Sequence, residues 1–260
     1  MPSFLQPPLV NLGIYCVTRT DLESYQTVLH WLLERGYEPT GDGLAFRAVN
    51  GRLPWFRSIE THRLSEEDVH VLGESSIPTY PLPAEWLPVS LRLRSTREDN
   101  VDIDLEYAPI RSTQWERLAH SVQIVASGSD LNLMQNVGAQ KLPNEERSRA
   151  ERTDRWITRT FRALCDDLQP DYAGCMWEWS LPPPAELMRS KDVRDFVGLY
   201  VARSQFAVQE LQAKFAGLEK WAVHQFDHGL YFESVGRLFG SAEGDSGMEH
   251  IRVLLQENAK

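Results

Sequence analysis

From Val89 to Glu106 apolar and polar residues alternate around a single polar turn, and this alternation constrains the fold more than any other feature of the chain. Val89, Leu91 and Leu93 interleave with Ser90, Arg92 and Arg94. After Thr96 to Asn100, Val101, Ile103 and Leu105 interleave with Asp102, Asp104 and Glu106. Successive strand side chains point to opposite faces, so a period of two describes a hairpin with one apolar and one charged face. Folding about the turn predicts Arg94 near Asp102 and Arg92 near Asp104. Exposed cross-strand pairs contribute only ~0.2–1 kcal/mol each, so these set register more than stability.

The largest shared core is expected between Asn144 and Val235, which carries Trp156, Phe161, Phe196, Tyr200, Phe206, Trp221, Phe226, Tyr231 and Phe232 among its aromatics. A long helix is predicted from about Asn144, polar in its first turns, with Ile157, Phe161, Leu164 and Leu168 as an apolar stripe. Pro170 stops it. A strand from Tyr172 to Trp179, an extended elbow over Leu181–Ala185, a short helix over Pro184–Met188 and a strand from Phe196 to Ala202 follow. Ser204 is read as the cap of a further helix. Trp221–Phe226 and Leu230–Val235 form a hairpin about Asp227-His228-Gly229, a turn suited to positive φ. Met248–Leu255 reads as a last helix.

Before these elements, Leu9–Val17 fits a buried strand, Thr20-Asp-Leu-Glu23 a capping box, and Gly36 a left-handed C-cap after a helix. Gly41-Asp-Gly43 reads as a turn before a strand over Leu44–Val49, with Leu53–Glu60 as its partner. Pro78, Pro81, Pro83 and Pro88 rule out a central strand or continuous helix between Ser65 and Pro88, leaving a connection with a short acidic helix at Glu66-Glu67-Asp68. Ser112–Ala126 reads as a helix bearing Trp115, Leu118 and Val122, and residues 127–143 as a surface loop. Gly13-Ile-Tyr15 matches Gly198-Leu-Tyr200, and Gly43-Leu-Ala-Phe46 matches Gly229-Leu-Tyr-Phe232. The expected fold is therefore α+β, with mixed or antiparallel sheets and packed helices, and it admits two related strand–helix–hairpin units. It is one domain over 1–260, divisible into subdomains 1–126 and 144–240 joined by the loop at 127–143.

Composition narrows the function. A formal net charge of −10 disfavours nucleic acid, which needs clustered Lys and Arg, and no such cluster is read in the chain. Cys16, Cys165 and Cys175 are far apart in apolar settings, as buried free thiols of a reducing cytoplasm would be. No run approaches the ~20 apolar residues of a membrane span, and the N-terminus lacks a secretory pattern.

Three acidic or histidine-bearing sites offer chemistry. Asp102, Asp104 and Glu106 share a strand face and offer oxygen ligands to a divalent cation, but Arg92 and Arg94 neutralise them. His224, Asp227 and His228 fall about a turn rather than on the one helical face that a His-Glu-x-x-His zinc site uses. Glu178, between Trp177 and Trp179, is the single acid whose apolar neighbours would suit a general acid, against a surface role. No nucleophile elbow, Walker loop or dinucleotide fingerprint occurs.

Leu168-Gln-Pro-Asp-Tyr-Ala-Gly174, leading from a helix into a strand and a Pro-rich elbow, resembles a turn of cytoplasmic immunity proteins of bacterial toxin systems. That resemblance implies an acidic α+β protein without catalytic motifs that neutralises a toxin partner, with no cofactor. The leading expectation is a non-catalytic protein-binding module, in the cytoplasm, with a basic partner drawn to acidic surface. Its contacts are placed at Glu66, Glu67 and Asp68 and, in the loop, at Asp130, Asn132 and Gln135. A metal-dependent hydrolase or transferase and a structural subunit of a larger bacterial assembly stay open as alternatives. Oligomeric state is not constrained.

Overall fold

A computed structural model describes residues 9–16, 19, 21–46, 61–73, 89–97, 101–108, 121–127, 144–177, 196–215 and 221–234. They hold ten strands and four helices, and every pairing of described register is antiparallel. The class is α+β, mostly sheet. The chain divides into two compact units: a continuous one, Tyr15–Ala126, and a split one, Met1–Ile14 with Ser127–Lys260.

In the continuous unit the strands run in the order β3 (Thr61–Arg63), β2 (Tyr37–Phe46), β4 (Val89–Ser95), β5 (Asp102–Ala108), β6 (Ser121–Ser127). The β4–β5 hairpin has the register that alternation predicts, Arg92 opposite Asp104 and Arg94 opposite Asp102. Leu91, Leu93, Ile103 and Leu105 are almost wholly buried on the other face. Helix α1 (Asp21–Glu34) contacts β2, and Tyr25, Val28, Leu29 and Leu32 bury its apolar side. Gly36 ends α1 at φ 82°, a left-handed conformation that costs glycine nothing. Both the backbone N–H and the hydroxyl of Thr96 donate to its carbonyl, at 2.8 Å each. Helix α2 (Glu66–Gly73) is capped by Ser65. The Asp68 N–H donates to Ser65 Oγ at 3.1 Å, and the Ser65 N–H and hydroxyl donate to Asp68 Oδ2 at 2.8 and 2.7 Å.

Three expectations change in this unit. Gly41-Asp-Gly43 does not separate two elements: β2 runs through it, with a register shift between Pro39 and Gly43 and Gly41 at φ 82°. The glycine-rich segment is a bulge, which lets a strand continue past residues that cannot pair. The partner of Leu44–Phe46 is Thr61–Arg63; residues 47–60 lie outside the described residues. Ser121–Ser127 is a strand, not the end of a helix. Val122, Gln123, Ile124, Val125 and Ala126 are all buried, so both faces of β6 are covered and alternation vanishes from its sequence. The remainder of that expected helix, residues 112–120, is outside the described residues.

In the split unit the order is β1 (Leu9–Tyr15), β7 (Tyr172–Trp177), β8 (Phe196–Ala202), β10 (Gly229–Ser234), β9 (Trp221–Gln225). Helix α3 (Asn144–Leu168) packs on β8 and β10, and α4 (Val208–Phe215) on β9 and β10. Trp156, Ile157, Phe161, Leu164 and Cys165 are buried on the sheet side of α3, and the Phe161 and Tyr231 rings lie 5.4 Å apart. Gln169 at φ 48° and then Pro170 end the helix, and the Gln169 N–H donates to the Cys165 carbonyl at 3.1 Å.

Ser204 does not cap α4. A turn at 203–205 precedes the helix, and the Ser204 hydroxyl donates to Asp171 Oδ1 at 3.2 Å. Gly229 is not at positive φ; it is needed for space, because an added Cβ would stand 2.5 Å from both Tyr200 Oη and the Val201 carbonyl. The two matched Gly-aromatic segments also pair differently. Gly229–Phe232 lies on β10 between β8 and β9, whereas β2, which holds Gly43–Phe46, lies between β3 and β4. Cys165 and Cys175 are buried thiols and Cys16 is half-buried, all three unbridged. Among the described residues no helix is long and apolar enough to cross a membrane. The segments 181–188 and 248–255 lie outside the described residues.

Candidate functional site

A charged concave surface lies on the split unit, between α3 and the β9–β10 hairpin. Its origin is the helical repeat: on the side of α3 away from the apolar stripe, Arg152, Arg155, Arg159 and Arg162 recur at steps of three, four and three residues. At 100° per residue this spacing puts all four on one narrow stripe. Arg155, Arg159 and Arg162, with Asp166 at the C-terminal end, form one wall of a cleft of about 520 Å³. Phe226 and Glu233 from the hairpin form the other.

Two hairpin histidines, His224 and His228, lie against that second wall. His224 Nε2 lies 3.3 Å from Glu233 Oε2, at ion-pair distance whenever the imidazole carries its proton but without hydrogen-bond alignment. The imidazole stacks on Tyr231 at 5.8 Å, and the Arg162 guanidinium stands 6.0 Å from the centre of the same Tyr231 ring. Burial pushes the Tyr231 hydroxyl well above its usual range. At the tip, His228 lies parallel to Phe226 (centroids 5.6 Å apart, planes within 8°), and its Nε2 is 3.3 Å from the Cys165 carbonyl. That contact ties the turn to the last turn of α3, so Phe226 is held at the cleft.

His224, Asp227 and His228 therefore do not converge. His224 faces Glu233, His228 faces Cys165, and Asp227 is exposed at the turn. Among the described residues no three His, Cys, Asp or Glu side chains form a group able to hold a metal ion. The acidic row of β5 is likewise engaged. Asp102 takes two hydrogen bonds from Arg94, at 2.7 and 2.9 Å, and one from Arg92 at 3.4 Å, while Arg92 lies 3.8 Å from Asp104. The hydrogen bonds from Arg94 hold the Asp102 carboxyl below its usual range. Glu106 accepts from Gln123 Nε2 at 2.8 Å, and burial raises its carboxyl above the usual range.

Of the expected contact residues, Glu66 and Glu67 are exposed on the first turn of α2 in the continuous unit, and Asp68 is committed to the cap. Asp130, Asn132, Gln135 and Glu178 lie outside the described residues. The arginine stripe was not expected: charge averaged over the chain hides it, since its net charge is −10. Arginine at helical spacing opposite an apolar stripe is the signal that exposes it, so the expected lack of a basic cluster does not hold for α3.

No protein-family model and no curated protein matches the chain. Among solved structures it is similar to a T6SS protein of Pseudomonas aeruginosa, PA0821, at 13% identity and a TM-score of 0.40, over 97% of this chain and 72% of that one. A likeness of this size does not define a shared fold.

Proposed function

We propose that the protein is a non-catalytic protein-binding module. The observation that supports this reading is the α3 cleft, where rigid elements present arginines beside an aromatic side chain. Guanidinium groups and aromatic rings carry much of the energy of protein interfaces, because they combine directional bonds with large buried area. Asp102, Asp104 and Glu106 on β5 are, by contrast, paired with Arg94, Arg92 and Gln123. The specific form of the proposal is an immunity protein that neutralises a toxin partner in the cytoplasm. The net charge of −10, with Glu66 and Glu67 exposed on α2, would speed the approach of a partner basic over most of its surface. Contacts at Asp130, Asn132 and Gln135 belong to the same proposal.

The test is capture of the tagged protein from its own cells, with mass spectrometry and metal analysis on one sample. One stoichiometric protein without metal supports the module. A stoichiometric metal or small ligand with no protein would overturn it. With the partner in hand, Glu66→Lys with Glu67→Lys should slow association at low salt; an unchanged rate would remove α2 from the contact surface.

A further inference from the structure

We propose that the α3 cleft receives an extended, carboxylate-bearing segment of the protein partner, an inference that rests on the binding-module reading. The geometry of the arginine row selects this chemistry. Arg155 and Arg159 are four residues apart, a rise of ~6 Å along a helix, near the ~6.6–6.8 Å repeat of same-face side chains in an extended chain. Arg155 to Arg162 spans ~10 Å. A compact anion such as phosphate meets one end of such a row, whereas carboxylates on every second residue of a strand meet it along its length. Arginine pairs with carboxylate through two parallel N–H···O bonds, which gives the contact direction as well as charge.

The rest of the lining supports the choice. Asp166 and Glu233 border the cleft, so a uniformly anionic ligand such as a polyphosphate or nucleic acid backbone meets repulsion at both walls. A peptide, with uncharged residues between its acids, avoids it. Phe226 offers an aromatic surface for those intervening side chains.

A fluorescent six-residue peptide that alternates glutamate with threonine, titrated into the full chain at low salt and followed by anisotropy, tests the proposal. Binding about tenfold or more tighter than that of an uncharged Gly-Ser peptide of equal length is expected. Arg155→Gln with Arg162→Gln should weaken it about tenfold, while Arg63→Gln, at an exposed arginine of the continuous unit, should change it less than about twofold. Arg155→Lys with Arg162→Lys, which keeps charge but not the planar fork, should recover part of the loss. Far-ultraviolet circular dichroism verifies that each variant is folded. Equal weakening by the Arg63 variant, or inorganic pyrophosphate binding tighter than the peptide, would overturn the inference. Capture of the partner that survives Arg155→Gln with Arg162→Gln would overturn it too, and leave the module reading standing. Peptide binding at the cleft with no protein captured from cells would count against the module alone.

Discussion

Tyr200 and Tyr231 stand opposite one another across the β8–β10 ladder, and each lays its hydroxyl over a glycine of the other strand. Tyr231 Oη is 2.7 Å from where a Cβ on Gly198 would be, and Tyr200 Oη is 2.5 Å from the corresponding point on Gly229. Both strands carry Gly-Leu-Tyr, and the antiparallel register turns that repeat into two diagonal aromatic–glycine contacts. Gly229→Ala is expected to destabilise the protein by about 1–3 kcal/mol, the usual cost of forcing atoms into a filled core. Urea unfolding measures it, and an unchanged midpoint would contradict the packing described.

Tyr200→Phe should behave in the opposite sense. The hydroxyl is buried without a hydrogen-bond partner, and burial raises its titration far above the ordinary phenol range. Removing an unsatisfied polar atom is neutral or stabilising by up to about 1 kcal/mol. Gly229→Ala should stay harmful in that background, because the ring Cζ of residue 200, 2.6 Å from the added methyl, and the Val201 carbonyl still oppose it. Marked destabilisation by Tyr200→Phe would mean that the hydroxyl is satisfied in solution.

Two carboxyls on β5 should respond to pH in opposite directions. Asp102 titrates below its unfolded value, because Arg94 hydrogen-bonds its charged form. Its contribution is present above the unfolded pKa and is lost as pH falls through the folded one. Asp102→Asn should therefore lower Tm at neutral pH and make no difference at strongly acid pH. Glu106 titrates above its unfolded value, because it is buried. Its contribution is complete below the unfolded pKa and is lost as pH rises through the folded one. Glu106→Gln should thus raise Tm at neutral pH, with the gain vanishing in acid. Scanning calorimetry of both variants across pH checks the signs, and parallel curves would refute them.

Asp68→Ala should cost about 0.5–2 kcal/mol, since it removes the acceptor for the Ser65 N–H and hydroxyl at the start of α2. Glu66→Gln with Glu67→Gln, which neutralises two exposed first-turn acids with no capping bond described, should cost less. Chemical denaturation of the two variants separates the structural acid from the surface ones. A smaller loss for Asp68→Ala than for the double neutralisation would contradict the cap.

How much was legible depended on whether one face of an element meets water. The β4–β5 hairpin and α3 each have a wet and a dry side, so period and register could be read from residues alone, down to Arg94 opposite Asp102. Strand β6 is covered on both faces, which removed its period and let the spacing of Leu118 and Val122 pass for helical. Gly41 and Ser204 are residues whose types suit a turn or a cap equally well as a bulge or a tether, and only the neighbouring chain decides. The arginine stripe was legible on a helical projection but not in a count of charges. Its meeting with Phe226 and Glu233 was not legible at all, because the hairpin lies more than sixty residues farther along the chain.

The division of the chain also orders its synthesis. The residues of Tyr15–Ala126 leave the ribosome as one uninterrupted piece, and that unit can acquire its native contacts while translation continues. Strand β1 precedes that unit in the chain yet lies beside β7, so the β1–β7 ladder cannot close until Tyr172–Trp177 has been translated.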